Sequence, residues 1–385
     1  MKKVLTQWLL LFAFFISASA QSYINETIQY DGRARAYDIY IPALYDSVNP
    51  VPMIFNFHGG SGTNAEQISI GDMSSIADTA NFIAVYPQAL ADPNDGGSTN
   101  WIHKDPTTID DIGFIDALID SISSRFLIDL ERVYACGYSL GGEFTFELGC
   151  RLNSRIAAIG VVARTMQKFT YDNCSPVHPT GVLTILGTAD AISNYNGVSW
   201  GGVQYYMSAN ETHDFWISHN NCNSLASTSV LADIDPNDGS TIERSTWFTP
   251  SGCAYVEELK VIGGGHDWPG SFGNMDINST EEIWNFVSRY QLEGITHCSA
   301  TAINENQSNS LEYSVFPNPF QEEITIETTT SKETEYQVYS MMGQLLMTGV
   351  FSQGEAKVDL SQLSPNLYYL RVDNQSFKLI KKNSN

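Results

Sequence analysis

The run Arg132-Val133-Tyr134-Ala135-Cys136-Gly137-Tyr138-Ser139-Leu140-Gly141-Gly142-Glu143-Phe144-Thr145-Phe146-Glu147-Leu148 decides how this chain folds. Val133 to Cys136 are apolar, as a buried strand requires. From Glu143 the pattern turns helical. Between the two lies G-x-S-x-G, and strand, G-x-S-x-G, helix is the context of a nucleophile elbow. The glycines have a steric reason: strand and helix close on each other and leave no room for side chains. The serine sits on a sharp, strained turn that lifts its hydroxyl clear of the sheet edge. The helix begins there, so its unpaired N–H groups and its dipole face the place of an oxyanion. Alone, the same pattern reads as a Gly-rich turn without chemistry, so the partners must come from elsewhere.

A serine hydroxyl is a poor nucleophile until a base takes its proton, and that base needs a carboxylate on its other ring nitrogen. Downstream, the apolar run Val182-Leu183-Thr184-Ile185-Leu186 ends in Gly187-Thr188-Ala189-Asp190. A second run, Val256 to Ile262, ends in Gly263-Gly264-Gly265-His266-Asp267-Trp268-Pro269-Gly270. Functional groups of an open α/β sheet gather past the C-terminal ends of its strands. Asp190 is therefore the candidate acid and His266 the candidate base. Asp214, Asp233, Asp235 and Asp238 also lie between Ser139 and His266 and stay as rivals. Asp267 is a poor candidate, because adjacent side chains diverge. Upstream, Pro52 to Phe57 reads as a buried strand and ends in His58-Gly59-Gly60-Ser61-Gly62. An oxyanion hole pairs the N–H after the nucleophile with one from a loop of this type. Those donors are Leu140 and either Gly60 or Ser61. His58 is expected to brace the loop.

The chain order Ser, Asp, His is that of an α/β-hydrolase. The expected fold is α/β: two antiparallel edge strands over Tyr23 to Ile41, then a mostly parallel sheet through Phe55, Ile83–Val85, Val133, Ile159, Leu183 and Val256, with helices on both faces. Ile112 to Ile122 has helical spacing and covers one face. Trp101, Trp200, Trp216 and Trp268 fall in predicted loops or helix ends near the active edge. With Tyr195 and Tyr205 they are expected to line a cleft for an aromatic acyl group or a sugar. Trp268, Trp101 and Tyr195 are the substrate-binding candidates.

Six elements together resemble a known family: His58-Gly59-Gly60, Asp110-Asp111-Ile112-Gly113-Phe114, Ile128-Asp129-Leu130-Glu131-Arg132-Val133-Tyr134, Gly137-Tyr138-Ser139-Leu140-Gly141-Gly142, Gly187-Thr188-Ala189-Asp190 and Gly264-Gly265-His266-Asp267-Trp268-Pro269-Gly270. Over roughly residues 22 to 297 the chain is similar to the secreted polyhydroxybutyrate depolymerase-like esterases, the group that also holds feruloyl and acetylxylan esterases. The resemblance implies an α/β-hydrolase with Ser139 as nucleophile, Asp190 as acid and His266 as base, acting without a cofactor. It also implies disulfides Cys150–Cys174 and Cys222–Cys253. The chain departs from the family at Arg164-Thr165-Met166, where small residues are usual, which places a bulky cation near the cleft. The expected activity is that of a serine esterase on an ester of plant polysaccharide or polyester. A serine peptidase on the same fold and a non-catalytic polysaccharide-binding protein are the alternatives.

The N-terminus reads as a secretory signal over residues 1–20. Lys2 and Lys3 precede an apolar run from Trp8 to Ile16, and Ala18-Ser19-Ala20 offers a cleavage site. That run is too short for a membrane span, and nothing later reaches spanning length. With 43 Asp and Glu against 20 Lys and Arg, the net charge of −23 argues against nucleic acid or an anionic membrane as partner. Six cysteines in an exported chain point to disulfides, and no C-x-x-C or H-x-x-x-H spacing points to a metal.

The hydrolase region is expected over 21–297. Composition then shifts to Ser, Asn, Thr and Ala, a linker over 298–312. Beyond it, Ile324 to Thr328, Glu335 to Tyr339 and Tyr368 to Val372 alternate with period two, and Met342-Gly343-Gln344 fits a hairpin turn. This marks a small all-β, sandwich-like domain over 313–385. Its Pro317-Asn318-Pro319 opening, its Tyr339-Ser340-Met341-Met342-Gly343-Gln344-Leu345-Leu346 segment and its basic tail of Lys378, Lys381 and Lys382 resemble the C-terminal sorting domains of the Bacteroidetes type IX secretion system. The expected partner of this domain is the secretion machinery. A carbohydrate-binding module of similar size is the alternative.

Overall fold

The computed structural model describes residues 23–101, 108–295, 313–340, 345–364, 367–372 and 375–382. The expected signal segment, the linker and the Met342-Gly343-Gln344 turn lie outside these residues. The chain divides into two compact units, Met1–Ala300 and Thr301–Asn385.

The first unit is built on one ten-stranded sheet. Its strands are β1 (Ile24–Tyr30), β2 (Arg33–Tyr40), β3 (Val51–Phe57), β4 (Ile83–Pro87), β5 (Ile128–Tyr138), β6 (Ala158–Val162), β7 (Gly181–Gly187), β8 (Ser227–Val230), β9 (Thr241–Phe248) and β10 (Ala254–Ile262), in the spatial order 1-2-4-3-5-6-7-10-9-8. The six strands from β4 to β10 in that order run parallel, and an antiparallel pair closes each edge. β3, β6 and β7 are buried at every position. Period-two alternation sends neighbours to opposite faces. Phe55, Val133, Ile159 and Val182 belong to one apolar core, while Ile54, Tyr134, Ala158 and Leu183 belong to the other. Phe114 and Phe144, from helices Asp111–Ser123 and Leu140–Arg151, fill the first core. Ile283 and Trp284, from helix Ser279–Val287, fill the second. Each such side chain contributes roughly 1.5–3 kcal/mol on leaving water, which is why runs this apolar fold into a doubly covered sheet.

The Asp110-Asp111-x-Gly113 motif has a structural account. Asp110 caps its helix by accepting the Gly113 N–H at 2.9 Å and also accepts the Tyr30 hydroxyl at 2.7 Å. Asp111 pairs with Arg35 at 2.5 Å, both side chains 1% exposed. A Cβ at position 113 would lie 2.0 Å from the Tyr30 oxygen. The motif clamps the edge strands onto a helix.

Two features differ from expectation. The edge formed by β8 and β9 was not anticipated: β8 is Ser-Thr-Ser-Val, exposed throughout, with no apolar run to mark it. The Cys150–Cys174 bridge is present with Cα atoms 4.8 Å apart, but Cys222 does not pair with Cys253. Cys222 keeps a free thiol packed against the apolar interior, where burial raises its pKa to about 11. Cys253 is bonded in a different disulfide.

The second unit is a five-stranded antiparallel assembly of Tyr313–Phe316, Glu323–Ser340, Leu345–Asp359, Leu367–Val372 and Gln375–Ile380. The two period-two runs at Ile324 and Glu335 are halves of one long strand, whose register against Leu345–Asp359 breaks between Thr328 and Glu333. Ile324, Ile326, Val338, Val358, Leu370 and Leu379 form its core. Lys381 is not part of a solvated basic tail. It is 7% exposed, and its ammonium donates to the carbonyls of Leu360 and Ser361 at 2.7 and 2.9 Å.

Candidate active site

The elbow forms because glycine sits where chains touch. A Cβ on Gly141 would lie 2.2 Å from the Phe57 carbonyl oxygen, and one on Gly137 would lie 2.4 Å from Gly141. β5 therefore ends, turns at Ser139 and enters the helix Leu140–Arg151 against the end of β3. Ser139 takes φ 53° and ψ −119°, and its N–H is held by the Val162 carbonyl at 3.0 Å. A side-chain-bearing residue pays strain there, of the order of 1–3 kcal/mol.

The loops after β7 and β10 meet by the same device. A Cβ on Gly187 would lie 2.2 Å from the Gly265 carbonyl oxygen, and the Ala189 N–H donates to the Gly264 carbonyl at 2.9 Å. This contact brings Asp190 and His266 together. His266 Nδ1 lies 2.7 Å from Asp190 Oδ2, and His266 Nε2 lies 2.9 Å from Ser139 Oγ. Asp190 is almost fully buried, while the imidazole is 14% exposed. Asp267 instead accepts the Gly265 N–H at 2.8 Å.

Asp190 accepts three hydrogen bonds. Burial alone would raise its pKa, but His266 and the backbone N–H groups of Ser193 and Ile192, each 2.7 Å away, outweigh it and hold the carboxyl below its ordinary value. An ionised carboxylate can only accept. Nδ1 therefore carries the ring hydrogen, and Nε2 is left to take a proton from Ser139.

The oxyanion candidates separate. The Ser61 N–H is already donated to Asn100 Oδ1 at 2.8 Å. The N–H groups of Gly60 and Leu140 donate to no acceptor among the described residues. His58 is 1% exposed and braces this loop. Its Nδ1 lies 2.7 Å from the Gly59 carbonyl, and its Nε2 accepts the Ala89 N–H at 3.1 Å. Burial lowers its pKa, in keeping with an Nε2 that accepts a hydrogen bond and carries no proton.

Two residues here carry no motif. Asn100 is clamped by Asp95 and holds Ser61 in turn. Tyr138, the variable residue of G-x-S-x-G, donates its hydroxyl to the His266 carbonyl at 2.6 Å and so fixes the loop that carries His266.

Two aromatic expectations require correction. Trp101 is 3% exposed, stacks on Phe144 and donates its indole N–H to the His58 carbonyl at 2.9 Å. Trp268 is 1% exposed and packs beside Tyr138 and over Gly71. Both are core, because an indole whose N–H finds a partner is stabilised by burial. Tyr195 is half-buried, its hydroxyl given to Glu258 at 2.6 Å. Arg164 is also inward: it pairs with Glu143 and lies 3.9 Å over the Tyr206 ring. Among the described residues no cluster of His, Cys, Asp and Glu suits a metal ion, and no helix is long and apolar enough to cross a membrane.

Sheet order, elbow and strand-edge loops define the α/β-hydrolase class. Residues 314–383 match the secretion system C-terminal sorting domain. The rest of the chain is homologous to feruloyl and acetylxylan esterases. It is 26% identical over 271 residues to a bifunctional acetylxylan esterase/xylanase of Neocallimastix patriciarum, covering 70% of this chain and 36% of that protein. It is 23% identical over 272 residues to feruloyl esterase D of Neurospora crassa, covering 69% and 85%. The chain thus spans about a third of the length of the first of these relatives. Among solved structures, an acetyl xylan esterase from Aspergillus awamori superimposes with a TM-score of 0.48 at 13% identity, over 69% of this chain and 99% of that one.

Proposed function

We propose that this chain is a secreted serine ester hydrolase acting on carboxylic esters of plant polysaccharide. The observation that carries the reading is the unbroken hydrogen-bonded series Ser139–His266–Asp190 at the start of a helix. As Ser139 Oγ attacks the ester carbonyl, its proton passes to His266 Nε2. The carbonyl oxygen gains the negative charge and is met by the N–H groups of Leu140 and Gly60. Collapse of the adduct breaks the ester C–O bond, and the imidazolium returns the proton to the leaving alkoxide. Water then repeats the sequence on the acyl-enzyme, releasing the acid. Asp190 stays ionised and holds the ring. No step calls on a cofactor.

The named activities of the relatives supply the substrate class: feruloyl or acetyl groups on xylan. The sorting domain supplies the address, export through the type IX machinery. A panel of acetylated xylan, methyl ferulate and polyhydroxybutyrate, run with wild type and Ser139→Ala, tests the reading. Turnover of one of the first two, lost in the variant, is the expected result. Hydrolysis of polyhydroxybutyrate alone, or of none of the three, overturns it.

A further inference from the structure

The loop that carries Asp190 runs on into a hairpin, Val198–Trp200 paired with Val203–Tyr206. Gly201 and Gly202, with φ of 59° and 79°, make its two-residue turn. Its inner face is fixed to the body. Tyr206 gives its hydroxyl to Glu143 at 2.9 Å and lies under Arg164, and Gln204 reaches Glu211 at 3.1 Å. The Met207 N–H donates to the Met166 carbonyl at 2.9 Å. Glu143 stands one helical turn beyond Ser139, so the hairpin is anchored beside the elbow.

Its outer face is unpartnered among the described residues. Trp200 and Val203 are directly opposed, and Tyr205 follows on the same side. They are 81%, 56% and 46% exposed. Trp200, Val203 and Tyr205 together make an apolar patch on a hairpin anchored to the body, the kind of surface that marks an interaction site. The chemistry of that ligand is legible from the stretch Ala191–Tyr206, which holds no charged residue in a chain carrying −23. Aromatic rings stand there beside a loop that carries the exposed amides of Asn194 and Asn196. A pyranose offers apolar C–H faces to rings and hydroxyl edges to amides, and it is neutral. A polyester has no donors for the amides, and an anionic surface is repelled.

We propose that the outer face of the Val198–Tyr206 hairpin holds a neutral polysaccharide chain while one of its esters enters the Ser139 site. This rests on the ester-hydrolase reading above, and its test is separable from it. The full chain carrying Ser139→Ala is run through gels containing soluble deacylated xylan, with and without Trp200→Ala and Tyr205→Ala. Retardation by xylan that is lost with the two aromatic residues, and restored in part by Trp200→Phe, is the expected result. In the active chain the same pair of changes should lower kcat/KM on acylated xylan roughly tenfold, with methyl ferulate turnover moving less than twofold. Equal retardation in all variants overturns the proposal, as does adsorption to polyhydroxybutyrate that depends on Trp200 and Tyr205. A chain that cleaves no ester yet shows Trp200-dependent retardation removes the enzymatic reading and leaves the surface standing.

Discussion

Two imidazoles of the hydrolase unit lie between a hydroxyl and a carboxylate. His266 sits 2.9 Å from Ser139 Oγ and 2.7 Å from Asp190. His213 sits 2.8 Å from Thr184 Oγ1 and 3.9 Å from Glu258. The second carboxylate is beyond hydrogen-bond range of the ring and is engaged by Tyr195. Thr184 lies within β7, on extended backbone with no helix N-terminus beside it, and is fully buried. His213 packs against Trp247 and is 2% exposed. The contrast shows what the three residue types do not supply. Reactivity also needs a hydroxyl lifted off the sheet, a ring fixed by an ionised partner, and free N–H groups facing the place where charge develops.

The comparison breaks first at the hydroxyls. Ser139→Ala should reduce kcat on a chromogenic short-chain ester by roughly 10⁴-fold or more, and more than roughly a hundredth of wild-type rate would mean another nucleophile. Thr184→Val should leave kcat/KM within about threefold, costing only stability, on the order of 1–2 kcal/mol for the buried hydrogen bond. The carboxylates come next. Asp190→Asn should cost roughly 10⁴ in kcat, because the amide favours the wrong ring tautomer, whereas Glu258→Gln should be close to neutral in the same assay. If Asp214→Asn, Asp233→Asn, Asp235→Asn or Asp238→Asn proves crippling instead, the acid is misassigned.

Smaller effects concern the braces. His58→Ala strips the Ala89 N–H of its acceptor and should cost about 1–3 kcal/mol in chemical denaturation, with a roughly tenfold fall in kcat as the Gly60 amide drifts. The last difference is in pH. Burial lowers the His213 pKa, so the folded chain resists a proton that the unfolded chain accepts. Stability contributed by this group is complete above about 6.5, the ordinary histidine value, and declines as pH falls below it. Asp190, lowered by its hydrogen bonds, contributes above about 4 and loses that contribution on further acidification. The gap in melting temperature between wild type and Asp190→Asn should therefore hold from pH 7 to 5 and close toward pH 3. A gap that widens there would contradict the assignment.

What the sequence made legible follows a physical rule. The six parallel strands were readable because burial on both faces forces continuous apolar runs, while β8, exposed along its length, leaves no such trace. Ser139, Asp190 and His266 stand out because each sits at a fixed offset from a strand end, with a glycine marking the close approach. Asn100 and Tyr138 do not, because their roles depend on contacts 39 and 128 residues away. Trp101 and Trp268 were misplaced for a related reason: a tryptophan beside a loop is exposed or buried according to whether its N–H finds a distant carbonyl or hydroxyl. The Cys222–Cys253 pairing that the family resemblance implied does not hold in this chain, because pairing depends on where loops cross and that differs between relatives.

The backbone of Ser139 has a practical consequence for anyone wishing to trap a substrate on this molecule. Its φ and ψ mirror an ordinary extended conformation, so they are comfortable for glycine alone. Ser139→Gly releases the turn, whereas Ser139→Ala keeps a Cβ and with it the tension. The glycine variant should melt above the alanine one yet hold a bound ester less well, since a backbone without a Cβ also samples other conformations and aims the Leu140 N–H less firmly. An inert chain that must still grip its ester is therefore best made with alanine, and one made for long storage with glycine.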